Sequence, residues 1–321
     1  MRVLSILLGC VCVGFFPAQA AAATKKLSFI PLWSPQAQFA GYYVALEKGF
    51  YRGQGLEVEI LNGGPERPAD VWLEKGKADI GTLWLSEAIK KRAQGVRLVN
   101  VAQILQRSAL MLVAKKSSGI RTIADLNGKT VALWESFQLQ PLALFRKYNL
   151  RVNVIPQAHS INLFLRGGAD AASAMLYNEY HTIINAGLNP EELTTFFFYD
   201  YGLNFPEDGL YMLEKNYSKD PAAAAAFVKA TFEGWRYAFK HKNETIEIVL
   251  RRMREARIPA NRMHQKWMLE KMQDLVFPED PATRAGELQR ADYERVASEL
   301  AKAGGWKSVD FGSFYRDCAV K

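Results

Sequence analysis

Short apolar runs of strand length alternate with helical stretches from Leu27 to Leu176, and this alternation confines the chain to α/β layering, in which helices cover a mostly parallel sheet. Residues 27–32 read as a strand and residues 36–48 as a helix that stops at Gly49. Residues 55–60 alternate apolar and acidic side chains, as a half-exposed strand does. A helix over 68–75, a strand over 78–83, a helix over 86–94 and a strand over 96–105 follow. A second series with the same grammar starts after the strand-like stretch 110–114. It runs through strand 130–134, helix 139–148, strand 152–155, helix 161–165 and strand 171–176.

The two series share a detail. Leu73-Glu74-Lys75-Gly76-Lys77-Ala78-Asp79 is echoed by Leu165-Arg166-Gly167-Gly168-Ala169-Asp170: a helix stops at glycine, and an Ala-Asp pair leads into an apolar strand. That predicts two lobes built alike. From Pro221 onward the chain reads as mostly helical, with Phe227, Ala230, Phe232, Trp235, Ala238 and Phe239 near 3.6-residue spacing and so assigned to the core. No low-complexity linker divides the lobes, so one compact body is expected.

Arg2, the apolar run from Val3 to Phe16 and the small-x-small ending Pro17-Ala18-Gln19-Ala20 read as an export signal cleaved near Ala20, which places the mature protein in the periplasm. The run is shorter than the roughly 20 residues that a membrane span needs. Leu8-Gly9-Cys10 offers a competing lipoprotein site, at the expense of a very short apolar segment before the cut. Cleavage near Ala20 removes Cys10 and Cys12 and leaves Cys318 alone, so stability is expected from a packed core rather than a disulfide. The net charge of +8 is spread among nearly as many acids, and the cluster Arg251-Arg252-Met253-Arg254 fits a solvated helix face; no basic-aromatic module points to nucleic acid.

The four histidines, His159, His181, His241 and His264, lack zinc-ligand spacing, and no P-loop, dinucleotide fingerprint or nucleophile elbow is present, so neither a metal, a cofactor nor a catalytic group is assigned. What stands out is the chemistry at strand ends. Ligands of open α/β sheets bind beyond the carboxyl ends of the strands. Four such ends carry aromatic and amide or acidic groups: Trp33 to Phe39, Trp84 to Glu87, Trp134 to Phe137, and Tyr177 to Tyr180. Flat rings stack on a flat ligand while polar side chains fix its edges. Trp33 and Trp84 read equally well as lobe core, Glu179 as a first-turn helix acid, and Tyr42 and Tyr43 as a pair split between cleft and core.

With these residues in hand, the chain resembles the bacterial solute-binding proteins related to thiamine-pyrimidine precursor binders and to the fungal pyrimidine synthase. The resemblance is carried by the stretch from Trp33 through Tyr51 with Gly55-Leu56-Glu57-Val58, by Asp200-Tyr201-Gly202-Leu203-Asn204-Phe205 and by Glu233-Gly234-Trp235-Arg236-Tyr237-Ala238. It implies a type II periplasmic-binding-protein fold: one lobe from residues 24–113 and 209–321, an inserted lobe from 114–208, and hinge crossings near 113–116 and 205–211. It also implies a monomer that closes on a flat heterocycle, most readily a thiamine-pathway pyrimidine precursor, and delivers it to an ABC permease and its ATPase. The binding residues so assigned are Trp33, Gln38, Phe39, Tyr42, Trp84, Trp134, Glu135, Tyr177, Asn178 and Glu179. Precursor binders carry a histidine where this chain has Phe39, and the synthase needs a cysteine-rich motif that this chain lacks, which argues against an enzyme. The rival readings are a receptor for sulfonates or other anions, which would need Arg or Lys at the strand ends, and a ligand-sensing module acting in trans on a membrane signalling protein.

Overall fold

The computed structural model describes residues 24–279, 284–307 and 309–319. The expected export signal, the cleavage position and Cys10 lie outside the described residues. Strand β1 (Lys25–Ile30) leads through a 3-10 turn at Ala37–Phe39 into helix α1 (Ala40–Glu47), which ends at Gly49 in the left-handed region, φ 73°. Then come α2 (Phe50–Gly53), β2 (Leu56–Ile60), α3 (Ala69–Glu74), β3 (Ile80–Leu83), α4 (Leu85–Ala93) and β4 (Leu98–Gln103). The second series follows as β5 (Leu110–Lys115), β6 (Thr130–Leu133), α5 (Leu139–Lys147), β7 (Asn153–Pro156), α6 (Asn162–Leu165), β8 (Ala171–Met175), α7 (Glu179–Asn185) and β9 (Leu193–Phe197). After β10 (Gly209–Leu213) the chain is helical: α8 (Glu214–Lys219), α9 (Pro221–Lys240), α10 (Lys242–Glu255), α11 (Arg262–Val276), α12 (Arg290–Gly304) and α13 (Phe311–Phe314).

The strands form two five-stranded sheets with one plan. The first has the order β2-β1-β3-β10-β4 and the second β7-β6-β8-β5-β9. In each, β1 or β6 pairs in parallel with the strands on either side of it, and the strand that follows a crossing, β10 or β5, runs antiparallel to both neighbours. The sequence echo is part of this plan. Asp79 accepts from the Ser28 amide at 2.8 Å while its own amide donates to the Ser28 carbonyl, and Asp170 does both with Thr130, so each Ala-Asp pair docks β3 or β8 beside β1 or β6. Gly76 and Gly167 precede them at φ 65° and 78°, where a side chain would be strained.

The chain crosses between the sheets at 104–109 and at 202–208. The first crossing lies ahead of the 113–116 expected from sequence: β5 is unbroken to Lys115 because it is the antiparallel strand of the second sheet, paired with both β8 and β9. Its all-apolar run Leu110–Ala114 is buried on both faces, and the preceding Ile104-Leu105 merely looks like more strand. Glu207 stitches the crossings together. Its Oε1 accepts from Ser108 Oγ (2.8 Å), the Ala109 amide (2.8 Å) and the Leu110 amide (3.1 Å).

The C-terminal helices build onto the first half. Helix α9 buries Phe227 against Phe29 of β1, Trp235 against Tyr42 of α1 and Phe232 beside Phe277 at the end of α11, each ring worth about 1.5–3 kcal/mol of burial. Asp220 caps its start by accepting from the Ala223 amide. Helices α11 and α12 also reach the second half, where Arg146 of α5 pairs with Glu299 at 2.8 Å. No helix among the described residues is long and apolar enough to cross a membrane.

Candidate functional site

The carboxyl ends of the parallel strands of both sheets converge on a cleft of about 540 Å³, within the range of small-molecule sites. From the first half come Leu32 and Trp33 after β1, Pro65 after β2 and Trp84 after β3. The second half supplies Trp134 after β6, Gln157 and His159 after β7, and Met175, Tyr177, Asn178 and Glu179 from β8 and beyond. Because the sheets share one plan, Trp33 and Trp134 occupy equivalent strand ends, and so do Trp84 and Tyr177. The halves already touch over this cleft: Trp84 lies against Phe137 at 4.0 Å between centroids, and Trp33 meets His159 edge-on at 5.1 Å.

Eight of the residues singled out from sequence line this cleft: Trp33, Gln38, Trp84, Trp134, Glu135, Tyr177, Asn178 and Glu179. Phe39 and Tyr42 do not. Phe39 has no exposed surface, and Tyr42 is 1% exposed with its ring stacked on Phe29 at 4.4 Å. Every residue of α1 from Ala40 to Ala45 is buried, since the helix is wedged between the first sheet and α9 and has no face left for the cleft. Their assignment is therefore corrected to lobe core.

The polar groups differ in what they have left to offer. Gln38 donates to Asp208 Oδ2 (2.8 Å) and accepts from Gln36 Nε2 (2.6 Å), so its amide ties the cleft to the second crossing. Trp134 donates to the Ala158 carbonyl at 3.2 Å, which orients its ring, and Glu135 stands exposed at the rim. Glu179 accepts from the Met175 amide (3.0 Å) and from Asn178 Nδ2 (2.7 Å), and each oxygen keeps a further lone pair. Burial raises its pKa to about 7, so near neutrality it can accept from a ligand N–H or donate to a ring nitrogen. Among the described residues, no Lys or Arg lines the cleft.

Gln36 and Phe137 stand in the strand-end stretches singled out from sequence but are not among the binding residues assigned there, and Gln157 and His159 are not assigned to the cleft from sequence at all. Gln157 and His159 follow β7, whose Asn153–Pro156 run lacks the aromatic marker of the other ends. Gln157 holds both polar groups of Ser173 on β8, through Nε2 to its carbonyl (2.9 Å) and through Oε1 to its amide (3.0 Å), a role that only the sheet reveals.

Comparison with known proteins bears on the family and the fold. The family described as NMT1/THI5 like matches residues 36–245. The chain is 25% identical to a putative thiamine biosynthesis protein of Haemophilus influenzae over 292 residues, 88% of either chain. It is 22% identical to the formylaminopyrimidine-binding protein of Halalkalibacterium halodurans, covering 93% of this chain and 92% of that one. The solved periplasmic aliphatic sulphonate-binding protein SsuA of Escherichia coli superposes with a TM-score of 0.66 at 17% identity, over 87% of this chain and 90% of that one. At that identity the likeness speaks for the fold alone, which is the periplasmic-binding-protein fold expected from sequence.

Proposed function

The chain belongs to the NMT1/THI5-like family, and from that premise we propose that it is an exported solute-binding protein which captures a flat, nitrogen-rich heterocycle of the thiamine-pyrimidine class for ABC import. The observation that carries this reading is the pairing of aromatic walls from both halves, Trp33 and Trp84 facing Trp134 and Tyr177, around the partly buried carboxyl of Glu179. Rings stack on the faces of such a ligand, and a carboxyl poised near neutrality matches an aminopyrimidine edge, which presents a donor beside an acceptor. The relatives named for thiamine biosynthesis and formylaminopyrimidine binding support the same class. A sulfonate would enter a cleft that, among the described residues, has no Lys or Arg to meet it, which counts against the anion reading.

Closure follows from contact with both halves: the ligand touches Trp33 and Trp134 together only in the closed form, and that difference in contacts shifts the population. The test is a thermal-shift and calorimetry panel on ligand-stripped protein, with 4-amino-5-hydroxymethyl-2-methylpyrimidine, formylaminopyrimidine, thiamine, riboflavin, nucleobases and alkyl sulfonates. A ligand at a hundredfold excess over its Kd adds about 2.7 kcal/mol of apparent stability. Stabilisation by a pyrimidine and none by sulfonates is the expected result. Stabilisation by sulfonates alone overturns the reading, and a bound pyrimidine that is consumed would make the protein an enzyme.

A further inference from the structure

Two histidines that the cleft itself does not use meet where its two halves join. His181 lies on α7 of the second half and His264 on α11, which packs on the first, with their Nδ1 atoms 3.2 Å apart. Two lone pairs or two N–H groups would repel at that distance, so one nitrogen donates and the other accepts. The other ring nitrogen of His264 decides which. Its Nε2 is 2.8 Å from Asn178 Oδ1, an atom that can only accept, because the Asn178 Nδ2 donates to Glu179 Oε1. His264 is therefore the Nε2–H tautomer with a lone pair on Nδ1, and His181 supplies Nδ1–H. Asn185, one turn along α7, places its Nδ2 3.1 Å from the same His181 nitrogen, and this assignment turns its amide over so that the oxygen faces the ring. The outcome is a directional relay: His181 donates to His264, His264 to Asn178, and Asn178 to the cleft carboxyl of Glu179.

We propose that His264 is a positioning residue for the cleft, fixing Asn178 and Glu179 from the opposite half, and that with His181 it forms a latch which releases when both imidazoles are protonated. The positioning role rests on the binding reading above; the latch does not. One extra proton on the pair still leaves a donor facing an acceptor, whereas two leave N–H against N–H and charge against charge. Trp267 braces the joint by donating Nε1 to the Leu176 carbonyl at 3.0 Å while its indole stacks on His181 at 4.9 Å.

The charged groups on the elements packed around the pair do not neutralise it. Lys271 of α11 sits over the Trp267 ring at 4.6 Å, Arg262 at the start of α11 is paired with Glu247 of α10, and Arg236 of α9 lies over Phe277 at the far end of α11. Residues 37–39, which also pack on α11, bring no charge. Burial lowers the pKa of both histidines, and for His264 the proximity of His181 adds to it. The closed form thus binds fewer protons at this pair than the open form, and acid favours opening through it. Glu179 acts in the opposite sense, since its raised pKa lets the closed form hold a proton, so the two contributions must be separated by mutation.

The test is imidazole 15N NMR across pH 5 to 8 on the protein and its His264→Gln and His181→Gln variants, with small-angle scattering at both ends of the range and circular dichroism as a fold check. The expected spectra at high pH show the Nδ1–H tautomer for His181 and the Nε2–H tautomer for His264. Both should titrate below the ordinary value near 6.5. In either variant the remaining histidine should return towards that value, and the acid expansion seen by scattering should be lost. With 4-amino-5-hydroxymethyl-2-methylpyrimidine as probe, H264Q should raise Kd about tenfold at high pH and flatten its acid dependence. Histidines that titrate independently of one another, or variants that expand with acid as the parent does, overturn the latch even if the pyrimidine binds. Loss of pyrimidine binding in the parent with the histidine coupling intact overturns only the binding reading.

Discussion

Trp134 shows how one residue type acquires different roles from its position. It is half-buried beyond β6, its indole N–H is tied to Ala158 and its ring meets Phe137 edge-on, so it is oriented without being packed into a core. Trp235, on α9, has no exposed surface and stacks on Phe239 at 5.3 Å. Trp134→Ala is therefore expected to weaken binding of a flat ligand by ten- to a hundredfold, since a stacking ring is worth about 1–3 kcal/mol. The ligand-free melting temperature should barely move. Calorimetry with a melting curve of the empty protein checks both, and a large loss of melting temperature would assign Trp134 to the core. Phe39 and Tyr42 could not be placed by sequence in the same way, because residues beside a strand end face the cleft or the sheet according to how the next helix packs.

At the scale of elements, two of the stretches that carried the family resemblance meet in one helix crossing. Gly41 of α1 faces Trp235 of α9, and Gly234 of α9 faces the Gly41 carbonyl: a Cβ at Gly234 would stand 2.1 Å from that oxygen and 2.8 Å from the Ala45 Cβ. The helices approach closely because neither carries a side chain there. Gly234→Ala forces them apart, and overpacking of this kind costs about 1–3 kcal/mol. A melting temperature lowered by several degrees with the ligand cleft intact is the expected outcome, and an unchanged one would mean that the helices slide freely. The third stretch holds a crossing. Asn204 accepts from the Ser108 amide at 2.9 Å and donates to the Gln106 carbonyl at 3.1 Å, binding one crossing to the other.

In the whole molecule, the two crossings between the sheets enclose an acidic pair. Glu207 and Asp208 are buried, one oxygen of each has no partner, and burial drives both pKa values well above the usual carboxylate range, with mutual repulsion adding to that of Glu207. A carboxyl whose pKa is higher in the folded than in the unfolded state holds its proton more tightly when folded. Its contribution is greatest below the unfolded pKa and is lost as pH rises towards the folded one. Stability is thus expected to fall as pH rises from about 5 to 8, by at most about 1.4 kcal/mol per pH unit for each group. Glu207→Gln keeps an oxygen for Ser108, Ala109 and Leu110 and removes the titration, so its stability should vary less over that range. Urea unfolding at several pH values measures the slope, and equal slopes for variant and parent would refute the assignment.

The sequence by itself determined the α/β alternation, the likeness of the two halves and the strand ends that bring aromatic groups to a cleft. These depend on local rules: apolar runs of strand length, glycine where φ turns positive, and the Ala-Asp pairs that dock one strand on another. The tertiary structure alone decided that β10 returns to a sheet already begun while β5 opens the second sheet as its antiparallel strand, that Phe39 and Tyr42 are core, and that Gln157 and His159 join the cleft. It alone brought His264 against His181, 83 residues away. Pairings between distant segments are set by packing and by the satisfaction of buried polar groups, and neither leaves a periodicity or a spacing in the chain that a reader of the sequence could find.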